Sequence, residues 1–71
     1  MQRNPVASDN LKAIGYDQTA KILEIEFLDG SIYQYFDVSL TIYAGLMKAI
    51  SHGQFIDTFI KKAGYHSRQV R

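Results

Sequence analysis

The segment LDGSIYQYF, residues 28–36, decides the fold, because the length of its loop sets which way two tyrosines point. Just before it, KILEIEF (21–27) puts Leu23, Ile25 and Phe27 on one side and Glu24 and Glu26 on the other. That period of two is the signature of a strand with one buried face. Asp29-Gly30 is a strong hairpin signal, since glycine accepts the positive φ that a tight turn demands. Beyond it, Ile32, Tyr33, Tyr35 and Phe36 are residue types that favour a pleated strand. If Asp29 and Gly30 alone form the loop, Phe27 faces Ile32 and the tyrosines share a face with the glutamates. If Leu28-Asp29-Gly30 form a three-residue loop with Gly30 as a bulge, parity shifts by one. Tyr33 and Tyr35 then lie beside Ile25 and Leu23 on the core face. The X-Asp-Gly pattern suits the second loop better. It makes the rings mostly core, with their hydroxyls at a rim or bonded to buried groups.

Working outward, residues 10–17 (NLKAIGYD) read as a first strand, with Gly15 marking a bulge, and Asp17-Gln18-Thr19-Ala20 as a turn. Residues 1–9 are polar apart from one proline-containing stretch and read as a flexible N-terminal segment, leaving 10–71 as one small domain. Past Asp37 the period changes. Ile42, Tyr43, Leu46, Met47 and Ile50 recur at helical spacing, predicting a helix over 39–51 with Asp37 or Ser39 as its cap and Gly53 just past its end. Gly45 opposes that helix by about 1 kcal/mol relative to alanine, and its missing side chain would let the helix sit close to the sheet. Phe55, Ile56, Phe59 and Ile60 predict a second helix over 54–62, closed by Ala63-Gly64, with Lys61 and Lys62 at the negative end of its dipole. Residues 65–71 read as a short strand, an extended arm or a tail.

The expected fold is therefore α+β: a three-stranded antiparallel meander with two C-terminal helices packed on one face, in the order β-β-β-α-α. The opposite sheet face would carry Ile22, Glu24, Glu26, Ile32, Gln34 and Phe36. Exposed Ile32 and Phe36 would form an apolar patch, which makes a weak homodimer an alternative to a monomer.

At 71 residues the chain can bury only about 60% of the surface its unfolded form exposes. It has no cysteine, so neither disulfides nor a cysteine-based zinc site can brace it, which fits a reducing cytoplasm. No apolar run reaches the ~18 residues that span a bilayer, and the N-terminus lacks the apolar core of a signal peptide, so the expected location is cytoplasmic, away from membranes. Charge is unevenly placed. Residues 1–60 hold four basic against seven acidic side chains, a balance of −3, whereas 61–71 hold Lys61, Lys62, Arg68 and Arg71 and no acid, a balance of +4. That segregation points to an anionic partner near the C-terminus or to a solvated basic tail.

The landmarks occur together in a known family. NLKAIGYD, the Leu-x-Ile-x-Phe strand, DGSIYQYFDV, YAGLMKAISHG and FIDTFIKK resemble the KTSC domain, named for the C-terminus of some lysyl-tRNA synthetases, over about residues 6–68. Its Y-x-Y matches as Tyr33 and Tyr35, its A-x-S-x-G as Ala49, Ser51 and Gly53, and an aromatic-apolar-polar triplet as Phe55, Ile56 and Asp57, followed by Ile60 and Lys61. The chain departs where the family has Val-Pro, here Val38-Ser39, and in its terminal tyrosine segment, here Tyr65-His66-Ser67-Arg68. The resemblance implies a small bacterial or phage protein of unestablished function, with RNA binding suggested by the association with tRNA synthetases.

Chemistry is sparse. His52 and His66 are the only histidines and lack the i, i+4 spacing of a helical metal pair. Glu24 and Glu26 are explained by strand alternation without catalysis. No phosphate-binding glycine loop, nucleophile elbow or metal motif occurs, so the chain reads as non-enzymatic and without a cofactor or metal. Ser51 can satisfy backbone groups at a helix end, and the start of the second helix near Gly53 and Gln54 can hold an anion. The candidate binding residues are Tyr33, Tyr35, Ser51, Gly53, Lys61, Lys62, Tyr65, His66 and Arg68. Together they supply the ring faces and cations that single-stranded RNA requires. The first expectation is an RNA-binding module using the basic C-terminal segment. The alternative is a protein-interaction or nucleotide-sequestering module using the open sheet face or the helix-terminus anion site.

Overall fold

A computed structural model of the chain describes residues 3–6 and 10–71. Residues 1–2 and 7–9, part of the segment expected to be flexible, lie outside that range. Among the described residues five strands form one antiparallel sheet in sequential order: β1 (Asn4–Pro5), β2 (Leu11–Asp17), β3 (Ile22–Phe27), β4 (Ile32–Tyr35) and β5 (Ser67–Gln69). Between β4 and β5 run helix α1 (Leu40–Lys48) and helix α2 (His52–Phe55), the latter continuing in wider π-helical winding over Ile56–Lys61.

The central hairpin takes the three-residue loop. Leu23 pairs with Tyr35 and Ile25 with Tyr33, while Glu24 pairs with Gln34 and Glu26 with Ile32. Gly30 stands at φ +91°, its amide donates to the Phe27 carbonyl at 3.0 Å, and Phe27 donates to the Ser31 carbonyl at 2.9 Å. The Asp29 carboxylate fastens the bend by accepting from the Ser31 amide and hydroxyl at 2.9 and 2.6 Å. The tyrosines therefore face the helices, as the loop pattern predicts.

Leu11, Ile14, Leu23, Ile25 and Tyr35 from the sheet meet Leu46 of α1 and Ile56 and Ile60 of the second helix in one core. Val38, in the linker before α1, is also fully buried, its carbonyl accepting from the Tyr16 hydroxyl at 2.5 Å. Ser39 caps α1 by accepting from the Ile42 amide, and Ser51 caps α2 by accepting from the Gln54 amide.

Several expectations need correction. The sheet has five strands, not three. Asn4–Pro5 pairs with β2, and residues 67–69, left open from sequence, add to the free edge of β4. A short polar segment forms a strand when a neighbour offers an unpaired edge, a condition that no local pattern announces. The irregularity in β2 falls between Leu11 and Ala13, not at Gly15. Helix α1 ends at Lys48 with extended Ala49, so Gly53 is not its C-terminal glycine but part of α2, which starts two residues earlier than expected. Gly45 approaches Phe55 of α2 rather than the sheet: a Cβ there would meet the Phe55 ring at 3.2 Å.

The largest difference is the outer sheet face. Glu24 and Glu26 are only 5% and 7% exposed, and Ile32 is 3% exposed, so the expected open apolar patch does not form. Arg3 reaches across from the β1 edge to Glu24 and Glu26, and Arg71 reaches from the β5 edge to Glu26 at 2.8 Å and to the Gly30 carbonyl at 3.2 Å. Gln34 adds a hydrogen bond to Glu24 at 2.9 Å. Carboxylates can be buried on a sheet face when charge-assisted hydrogen bonds replace water.

Candidate functional site

On the helical side of the sheet the β3–β4 hairpin and the second helix diverge, leaving a cleft of about 660 Å³. The same register that turns Tyr33 and Tyr35 toward the core brings both to its wall. Phe27, Tyr65, Asp57 and Lys61 also line it, together with Asn10, Ser31 and Gly53. The two tyrosines differ in depth. Tyr35 is 6% exposed, and its burial, with Tyr33 and Asp57 nearby, pushes its phenol above the ordinary range, so it stays protonated at neutral pH. Tyr33 is half-buried, sets its ring edge-on to Phe27 at 5.8 Å, and donates its hydroxyl to Gln69 of β5 at 3.1 Å.

The opposite wall comes from the π-wound stretch. Asp57 and Lys61 are one helical turn apart and form an ion pair at 3.5 Å. The Lys61 ammonium also stands 5.3 Å from the centre of the Phe27 ring, within cation–π range. Gly53 lets the start of α2 approach the Asn10 side chain just before β2, since a Cβ there would lie 3.3 Å from Asn10 Nδ2. At the hairpin end, the bonds from Ser31 hold the Asp29 carboxyl below the ordinary carboxylate range.

Of the nine candidate residues, the cleft gathers Tyr33, Tyr35, Gly53, Lys61 and Tyr65. Ser51 is engaged in capping α2, while exposed Lys62, His66 and Arg68 are not among the cleft-lining residues. Sequence reasoning placed Phe27 in the core and passed over Asn10, Asp29 and Ser31. The Asp57/Lys61 spacing was legible, whereas the meeting of that helix with the hairpin end is purely tertiary. Among the described residues no group of three or more acidic or histidine side chains is arranged to hold a metal ion. Nor is any helix long and apolar enough to cross a membrane.

A profile of the KTSC domain matches residues 7–65. The chain belongs to the KTSC domain family. Among solved structures, this KTSC domain is similar to the crystal structure of a KTSC domain protein from Yersinia pestis. The TM-score is 0.90 at 38% identity, over 99% of this chain and 97% of that one. It is 34% identical over 65 residues to an uncharacterized protein of Stutzerimonas stutzeri, covering 92% of each. It is also 47% identical over 51 residues to a lysine–tRNA ligase of a Nostoc species, matching 72% of this chain but only 9% of the ligase. The domain thus spans a small fraction of the ligases that carry it and nearly the whole of other relatives. Nothing in these comparisons indicates catalysis.

Proposed function

We propose that this KTSC domain is a single-stranded RNA-binding module whose cleft receives one unstacked base. The observation that carries this reading is the convergence of Phe27, Tyr33 and Tyr65 with Lys61 around one cavity of about 660 Å³. Ligand sites typically fall between about 300 and 1,000 Å³ and combine apolar walls with a few convergent polar groups. Single-strand recognition needs ring faces for stacking, which the cleft supplies, and cations for the backbone, which exposed Lys62 and Arg68 supply beside it. The name of the Nostoc relative, a lysine–tRNA ligase, lends the reading an RNA context.

The basic C-terminal end contributes less than its charge suggests. Arg71 is bound to Glu26 and Lys61 to Asp57, which leaves exposed Lys62 and Arg68 as flanking phosphate contacts. Binding is then weak and only mildly salt-dependent, with log–log slopes of about −1 to −2 for one to three neutralised phosphates. Fluorescence anisotropy with a labelled single-stranded RNA at low and moderate salt tests the proposal. Tyr33→Ala, with its fold checked by circular dichroism, is expected to weaken binding by about 1–3 kcal/mol, the worth of one stacked base. Absence of binding at about 100 µM protein, the weak end of non-specific affinity, would refute it.

A further inference from the structure

We propose, building on the base-binding reading above, that Asp57 reads the Watson–Crick edge of the bound base and favours guanine over uracil. The wall of the cleft carries carboxylates, those of Asp29 and Asp57. Phosphates are repelled by them, so a carboxylate here suits a ligand group that donates hydrogen bonds. An ionised carboxylate only accepts, and it offers two oxygens side by side.

Asp29 and Asp57, the two acids among the described residues that line the cleft, are not equivalent. One oxygen of Asp29 already accepts both the amide and the hydroxyl of Ser31, and its task is to close the hairpin. Asp57 stands on the π-wound helix, its side chain 61% exposed, with Lys61 Nζ at 3.5 Å from Oδ1 as its ion-pair partner. That pairing orients the carboxylate without consuming its acceptor capacity, because each oxygen has two lone pairs. Lys61 is itself placed over Phe27, so ring, ammonium and carboxylate form one connected wall. Tyr35 completes the set as a phenol held protonated, available as a donor at the same cavity.

The four bases meet such a wall differently. Guanine presents N1–H and the N2 amino group next to each other, two donors for the two carboxylate oxygens, and its O6 can accept from Lys61 or Tyr35. Adenine and cytosine each present one amino donor beside an acceptor ring nitrogen, so one oxygen faces a lone pair. Uracil presents a single N–H between two carbonyls, the least favourable match. Edge recognition of splayed bases is the usual source of sequence preference in single-stranded RNA.

The test uses four pentanucleotides of one frame, UUGUU, UUAUU, UUCUU and UUUUU, titrated by anisotropy against the full chain and against Asp57→Asn. The single varied position avoids guanine self-assembly. A bidentate pair discriminates by roughly 5- to 150-fold, so UUGUU should bind at least about fivefold tighter than UUUUU, with the others between. Asparagine offers one acceptor and one donor and so matches uracil. Asp57→Asn should therefore collapse the guanine preference while the rings keep binding UUUUU. The fold is not at stake, since this side chain is exposed and its ion pair is one turn of surface helix. Equal affinity for all four would overturn the inference and leave base binding standing. A guanine preference that survives Asp57→Asn would overturn the assignment to Asp57. Failure of every oligonucleotide to bind would overturn the base-binding reading itself, and this inference with it.

Discussion

Gly30 is the residue on which the register turns, and its replacement by alanine isolates one term of the stability. The turn holds it at φ +91°, and a Cβ built there meets no atom within 4 Å beyond its two chain neighbours. No packing is gained or lost, so the change acts through the backbone alone. An L-residue with left-handed dihedrals costs roughly 1–2 kcal/mol. A domain of this size moves by about 4–8 °C per kcal/mol, so Gly30→Ala should lower the melting temperature by about 5–15 °C. D-alanine at the same position, introduced by chemical synthesis, prefers positive φ and restricts the unfolded chain. It should stabilise by about 0.4–1 kcal/mol. Thermal melts of the three proteins by circular dichroism give both shifts. If the L-alanine protein melts with the glycine protein, or the D-alanine protein falls as far as the L-alanine one, Gly30 is not held at positive φ and the three-residue loop does not set the register.

Two further outcomes follow from packing and charge. Leu46 is fully buried between α1 and the sheet, and Leu46→Ala should cost about 2–5 kcal/mol in urea unfolding, a large part of the ~4–10 kcal/mol expected for a chain of this length. Glu24 contributes to the acid limb of stability. Burial by itself would raise its pKa, but the hydrogen bonds from Arg3 and Gln34 outweigh burial and hold it below the ordinary value of 4.5. A carboxyl lowered in the folded state contributes fully above its ordinary value, and that contribution drains away as pH falls through the lowered one. Glu24→Gln should flatten this part of a pH-dependent melting profile; an unchanged acid limb would show that the ion pair of Glu24 with Arg3 does not form in solution.

Much of this architecture was legible because its signals are local. Alternation in residues 21–27, the Leu28-Asp29-Gly30 bend and the helical spacing that buries Leu46, Ile56 and Ile60 each report which face of an element is apolar; the same spacing fails at Ile50, which lies past the end of α1 and is fully exposed, and at half-exposed Phe59. The serine caps were legible for the same reason, since a cap acts within three residues of its own position. The candidate cleft was legible only in parts. Tyr33, Tyr35, Lys61 and Tyr65 stood out by type, but Phe27 and Asp57 owe their places to the meeting of a hairpin with a helix far along the chain.

The two edge strands and the charged roof show where local pattern stops. Alternation marks Glu24 and Glu26 as facing away from the core, and water is the default neighbour of such residues. The tertiary structure instead brings Arg3 and Arg71 onto them, through strands that exist because β2 and β4 each offered an unpaired edge. Periodicity along the chain reports an average environment for each face. Which particular group lies across that face depends on contacts 21 to 45 residues apart, and those are settled only when the chain ends are in place.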